Sequence, residues 1–140
     1  MSVRDNLRLV DCMIASYNAR DWSKLAETYA ESALFYEPGV KPYRGRDAIR
    51  RSYQDLHAVF PDERIKKVRS FGQGDWICIE MVASGTHKGP LMTPEGKTIP
   101  PTNKSYQVEI AATIRIENGK IAEYHEYFDK LEMLTQLGLG

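Results

Sequence analysis

The chain has 140 residues, and 19 lysines and arginines balance 19 aspartates and glutamates. That length predicts one domain over residues 1–140, long enough to bury a core. The balanced charge excludes the basic field that would select nucleic acid or an anionic membrane surface, and no stretch approaches the ~20 apolar residues of a membrane span.

The first segment, "MSVRDNLRLVDCMIAS", carries charges where a signal peptide needs an apolar run. It reads as a helix over residues 3–19, with Leu7, Val10, Met13, Ile14 and Tyr17 at helical spacing. A cytoplasmic location is the matching expectation. Asp21 can cap a second helix carrying Trp22, Leu25, Ala26 and Tyr29. "ALFYEPG" reads as a short strand broken by Pro38-Gly39. "GRDAIRRSYQDLHAVFP" reads as a third helix with a stripe of Ile49, Tyr53, Leu56 and Phe60, stopped by Pro61.

The period then changes to two. Residues 64–71 predict a strand whose irregular alternation suggests a bulge. "GQGD" turns the chain into the long strand "WICIEMVASGTHKG". "GPLMTPEGKTIPPTNK", residues 89–104, is a Pro- and Gly-rich loop long enough to act as a lid or as a mobile surface segment. "SYQVEIAATIRIE" puts Tyr106, Val108, Ile110, Ala112, Ile114 and Ile116 on one face. Asn118-Gly119 is a strong hairpin signal, "KIAEYHEYFD" returns, and "KLEMLTQLG" closes as a short helix. Helices first and a meander after predict an α+β fold with the helices on one face of a bent, mostly antiparallel sheet.

The hairpin turn sets the facing of the last strand. A two-residue turn pairs Glu117 with Lys120 and Ile116 with Ile121. Counting on pairs Ile114 with Glu123, Ala112 with His125, Ile110 with Tyr127 and Val108 with Asp129. The apolar face of the preceding strand is the buried one, so Glu123, His125, Tyr127 and Asp129 are expected to point inward. Tyr124, Glu126 and Phe128 are then expected to join Thr113 and Arg115 on the other face, toward solvent or a second subunit. Ionisable groups among isoleucine and valine predict a small-molecule pocket. An extra residue at the turn would invert every one of these side chains.

These residues carry a resemblance. "FPD" (60–62), "GTHKG" (85–89), "PPT" (100–102), "NGKIAE" (118–123) and "FDKLEMLTQLG" (128–138) resemble the SnoaL-like polyketide cyclases of the nuclear transport factor 2-like superfamily. The resemblance covers nearly the whole chain. It implies a cone-shaped α+β barrel and a cofactor-free, metal-free intramolecular aldol condensation of a hydrophobic carbonyl compound. It also implies an aspartate at the end of the last strand as general acid/base, which falls on Asp129. That family usually has tryptophan four residues earlier, where this chain has His125. A local resemblance of "ETYAESALFYEPGVKPYRGRDAIRRSY" to the ketosteroid isomerases puts their proton-shuttling carboxylate at Glu37. Their oxyanion-hole tyrosine would align near Met13 and their protonated aspartic acid near Ala112, so neither donor is present.

The candidate catalytic residues are therefore Asp129, His125 and Glu37. The candidate substrate contacts are His87, Tyr17, Tyr53, Glu123, Tyr127 and Trp22. Each has an ordinary structural alternative. Asp129 with Glu132 three residues on forms a capping-box pattern. His125 can be a hydrogen-bonded core histidine; it stands roughly 13 Å along the strand from Asp129, too far to touch it. Glu37 can be a solvated loop carboxylate and His87 a structural histidine. Tyr17, Tyr53 and Trp22 can be core. Cys12 and Cys78 lack metal or disulfide spacing, and His57, His87 and His125 lack zinc-ligand spacing, so no metal is expected. A homodimer through the convex sheet face is the expected assembly. Two functions compete with cyclisation: a proton-shuttle isomerase of ketosteroid-isomerase type centred on Glu37, and a non-catalytic small-molecule-binding or dimerisation module on the same fold.

Overall fold

A computed structural model describes residues 2–140; Met1, the first residue of the expected domain, lies outside the described residues. Helix α1 (Val3–Asn18) starts at a capping box. The Ser2 hydroxyl accepts from the Asp5 amide and the Asp5 carboxylate accepts from the Ser2 amide. Its buried face presents Val10, Met13 and Tyr17. Asp21 caps the short α2 (Trp22–Glu27) through the Lys24 amide. Tyr29, expected on that helix, instead opens strand β1 (Tyr29–Tyr36), where it pairs with Ile121 and is wholly buried. After β2 (Tyr43–Arg44), helix α3 (Arg46–Val59) runs to Phe60, whose amide makes the last helical bond before Pro61.

Four long strands follow: β3 (Arg64–Gln73), β4 (Trp76–Thr86), β7 (Ser105–Glu117) and β8 (Lys120–Tyr127). Between β4 and β7, the Pro-rich loop holds a small hairpin of β5 (Leu91–Met92) and β6 (Thr98–Ile99). Helix α4 (Lys130–Gln136) closes the chain. The main sheet has the order β2-β1-β8-β7-β4-β3. Its neighbours are antiparallel except β1 and β8, which run parallel. The architecture is α+β, with the N-terminal helices packed on a strongly curved sheet, as the element pattern predicts. The irregular alternation in β3 is also explained, by a register shift between Lys67 and Arg69.

The β7–β8 hairpin begins as expected and then departs. Asn118 and Gly119 both have positive φ, and Glu117 pairs with Lys120 and Ile116 with Ile121. One step on, the register shifts: Arg115 pairs with Glu123, so Ala122 is an extra, bulged residue. Ile121 and Ala122 are both buried, consecutive residues on the same side. From there every side chain is inverted relative to the unbulged register. Ile114 faces Tyr124 and Ala112 faces Glu126. The expectation that Glu123, His125, Tyr127 and Asp129 point inward is therefore corrected; Tyr124, Glu126 and Phe128 do. The physical reason is burial cost. The unbulged phase would bury two carboxylates and an imidazole, whereas the bulged phase buries two aromatic rings and one carboxylate.

The parallel neighbour fixes the same phase. Phe35 stacks on Tyr124 on the concave face, with ring centroids 4.6 Å apart. Tyr36 stacks on His125 on the convex face at 4.4 Å. Helix α1 packs on β3 and β4 and helix α3 on β1, and the core between them and the sheet includes Leu25, Ile49, Ile79 and Ile114. Among the described residues no helix is long and apolar enough to cross a membrane. Ile114 is wholly buried on β7, opposite the stacked Tyr124. Replacing Ile114 with alanine is expected to lower the unfolding free energy by about 2–5 kcal/mol, read from urea unfolding midpoints.

Candidate active site

Between the concave face of the sheet and the helices lies a cavity of about 680 Å³. Its walls are mostly apolar and aromatic: Met13, Phe35, Phe60, Met81, Ile110 and Phe128 are among the lining residues. Three glutamates reach it, Glu37, Glu63 and Glu126. Exposed side chains of Val40, Leu56 and Met92 also line it, so apolar surface continues to the opening.

Glu37 directly follows the last residue of β1, and Glu126 lies on β8, its parallel neighbour. The register Phe35 to Tyr124 and Tyr36 to His125, continued by one residue, brings Glu37 beside Glu126 on the concave face. The Tyr43 hydroxyl donates to Glu37 at 3.2 Å and the Tyr124 hydroxyl to Glu126 at 3.1 Å. Burial pushes the proton affinity of both carboxyls up. Glu126, desolvated and repelled by the neighbouring Glu37 charge, is raised to about 8. Glu37 is held lower by the Tyr43 hydroxyl and by Lys130, a lining residue whose ammonium donates to the Pro38 carbonyl. Two carboxyls of raised proton affinity, Glu126 the one also raised by its neighbour's charge, thus face the same space.

Glu63 is 3% exposed. Tyr17 from α1 donates to one of its oxygens and Tyr106 from β7 to the other. Desolvation raises it to about 7. Its placement follows from "FPDE": Phe60 is buried, Pro61 stops α3, and Asp62 accepts from the Thr86 amide and hydroxyl at 2.7 and 2.8 Å. The next side chain is thereby turned into the cavity.

The expected site residues divide. Glu37, Tyr17 and Tyr53 line the cavity; Tyr53 also shares a 2.7 Å hydrogen bond with Tyr29. Trp22 lies behind this wall, edge-on to Tyr17 and against His57. His125 and Glu123 sit on the convex face. Arg115 donates to Glu123, whose other oxygen is 3.2 Å from His125 Nε2. Tyr127 is exposed on that face. Tyr124 and Phe128, expected on the convex face, line the cavity instead. Asp129 is exposed at the N-cap of α4, where it accepts from the Glu132 amide at 3.0 Å, and it is absent from the cavity lining.

His87 is wholly buried outside the lining, where its Nδ1 accepts from the Thr102 amide at 3.2 Å. Its backbone pairs with Asn103 and Lys104. "GTHKG" and "PPT" are thus the two sides of one clasp at the base of the Pro-rich loop. Beside it, Gly89 packs so closely on Ala58 that a Cβ would lie 1.9 Å from the Ala58 carbonyl oxygen. That close approach needs glycine and positions Pro90, Leu91 and Met92 on the cavity wall. Sequence reasoning missed Glu63, Glu126 and Tyr43. The signal for Glu126 was present, because its phase also carries Tyr124 and Phe128. Among the described residues no group of three His, Cys, Asp or Glu is placed to hold a metal ion.

The SnoaL-like polyketide cyclase profile matches residues 7–137. The chain belongs to the SnoaL-like polyketide cyclase family. Nogalonic acid methyl ester cyclase of Streptomyces nogalater is 32% identical over 84 residues, a match covering 59% of each chain. Aklanonic acid methyl ester cyclase DauD of Streptomyces sp. (strain C5) is 27% identical over 135 residues, 93% of this chain and 80% of the relative. The solved structure of TsrD from Streptomyces laurentii superposes with a TM-score of 0.85 at 22% identity, covering 100% of this chain and 99% of that one. These relatives place the helices and curved sheet within a SnoaL-like fold.

Two outcomes follow. Asp129→Asn is expected to leave both stability and turnover within a few-fold of the parent, while Asp129→Ala costs about 1 kcal/mol in urea unfolding. Stability is also expected to depend on pH with a definite sign. Glu63 and Glu126 hold their protons more tightly folded, at about 7 and about 8, than at the ordinary 4.5. Their stabilisation is present below that ordinary value and is lost as pH rises through the folded values. Urea midpoints should therefore fall between pH 5 and 8, less steeply in Glu126→Gln.

Proposed function

We propose that this SnoaL-like chain catalyses cyclisation of a polyketide-type carbonyl compound by intramolecular aldol-type acid/base chemistry, with Glu37 and Glu126 as the catalytic pair. The observation that carries this reading is the pair itself: two carboxyls side by side in an apolar, aromatic cavity large enough for a polycyclic substrate. Like charges so placed do not ionise together, so one proton is retained. Glu37, the more acidic member, takes the proton from a carbon between or beside carbonyls. Glu126 keeps its proton and hydrogen-bonds the oxygen that becomes the enolate. The enolate carbon then attacks a second carbonyl of the same molecule. A new C–C bond forms as the C=O π bond of that carbonyl breaks, and the resulting alkoxide takes up a proton from solvent. The proton on Glu37 returns to solvent, so the cycle closes without an added redox equivalent. The names of the cyclase relatives support the methyl ester of aklanonic or nogalonic acid as the first substrate to test.

Aldol chemistry and a simple proton-shuttle isomerisation share the first step, and Glu37 serves both. What favours ring closure is the breadth of the cavity beyond the pair, together with the family of the chain. The test uses aklanonic acid methyl ester in D₂O, following exchange of its acidic C–H and ring closure separately. Exchange should rise with pH as Glu37 ionises and fall near pH 8 as Glu126 loses its proton. Glu37→Gln and Glu126→Gln should each slow exchange by roughly 100-fold or more. Full activity in Glu37→Gln would overturn the reading.

A further inference from the structure

Glu63, Tyr17 and Tyr106 form a second polar centre that the proton abstraction above does not use. All three line the cavity, yet they are contributed by the turn just before β3, the end of α1 and the start of β7. Each carboxyl oxygen of Glu63 contacts one tyrosine hydroxyl, so the cluster has two internal hydrogen bonds. Hydrogen counting gives the chemistry. With Glu63 ionised, the two phenolic hydrogens fill the two bonds, and the cluster has nothing left to donate. With Glu63 protonated there are three hydrogens for the same two bonds. One O–H is then surplus, and in a cluster that lines a cavity it turns toward whatever occupies that cavity.

We infer that Glu63, Tyr17 and Tyr106 form a carbonyl-oxygen subsite, a hydrogen-bond donor present when Glu63 carries its proton and absent when it does not. This rests on the proposed function for its ligand class, a hydrophobic carbonyl compound. In that reaction the subsite would receive the carbonyl that is attacked, away from the Glu37–Glu126 pair. Burial supports the switch, because desolvation raises the Glu63 carboxyl to about 7. The groups that act on it are the Tyr17 hydroxyl and Arg20, which lower it, and Asp62, which raises it; Glu126 is also on the cavity wall. The Arg20 guanidinium is itself occupied by the backbone carbonyls of Pro61 and Glu63 at 2.9 and 2.6 Å. A purely structural pin between α1, β3 and β7 would hold at either protonation state, so the difference between states is what tests the idea.

The test needs no turnover, so it stands or falls separately from cyclisation. The probe is 9-fluorenone, a neutral tricyclic ketone, with its affinity and carbonyl stretching frequency followed from pH 5.5 to 8.5. In the parent chain the bound carbonyl band should lie at lower frequency at acid pH. That shift should vanish with a midpoint near 7, and affinity should weaken about tenfold, the loss of one hydrogen bond. Glu63→Gln can donate at every pH, so it should hold the low-frequency band and the tighter binding throughout. Glu63→Leu frees both tyrosine hydroxyls and should behave alike, which keeps the test available if the glutamine variant folds poorly. A parent band that does not move with pH overturns the inference. So does a switch that persists unchanged in both Glu63 variants, because the donor would then be Glu126. Fluorenone that fails to bind the parent chain overturns it as well.

Discussion

The bulge at Ala122 is the constraint on which the rest of the site depends. One additional residue in β8 turns Tyr124, Glu126 and Phe128 onto the concave face and sends Glu123, His125 and Tyr127 outward. Without it Glu126 would lie on the convex face, and the partner that raises its proton affinity would be on the other side of the sheet. The bulge also lets β8 meet β1 in phase, so that Phe35 stacks on Tyr124 and Tyr36 on His125. Two aromatic stacks on opposite faces hold the strands in one register.

Desolvation gives this register its chemical consequence. A carboxyl in water is ionised at neutral pH and too weak a base for most C–H protons. Apolar walls raise its proton affinity toward the range useful for acid/base work. The cavity does this at two centres of different design. At Glu37 and Glu126 the second influence is a like charge, which makes the two groups unequal. At Glu63 it is the Tyr17 hydroxyl, which donates to the charged form and offsets part of the rise that burial causes. Burying three glutamates around one space costs stability, which is common where a protein uses such groups.

Much of the architecture was legible in the sequence. Helical spacing located α1 and α3, clean alternation located β7, the GQGD turn marked the start of β4, and Asn118-Gly119 fixed the hairpin. The family markers also acquire physical meaning: "FPD" is a helix stop and a tie to Thr86, and "GTHKG" with "PPT" is the clasp of a loop. The site was less legible because it depends on phase. "KIAEYHEYFD" carries plausible functional residues on both faces, and a bulge leaves no turn residue or proline to announce itself. Counting apolar side chains on each phase would have favoured Tyr124 and Phe128. Glu63 was hidden differently. It stands between a helix stop and a strand, where no periodicity applies, and its partners are far away in sequence. Asp129 matched a family position, and its local geometry proved to be that of the cap that "DKLE" suggested.

The parallel contact of β1 with β8 has a consequence in time. The two carboxyls at the proposed catalytic centre are far apart in the chain, with α3, the Pro-rich loop and the strands β3, β4 and β7 between them. Such long-range closure is slow relative to local pairing. β8 lies between β1 and β7 in the sheet, so a chain opened at its last strand also separates β1 and β2 from the rest of the cavity wall. The raised proton affinity of Glu126 therefore depends on a contact that is long-range in sequence, because both its burial and the Glu37 charge beside it require β8 in place.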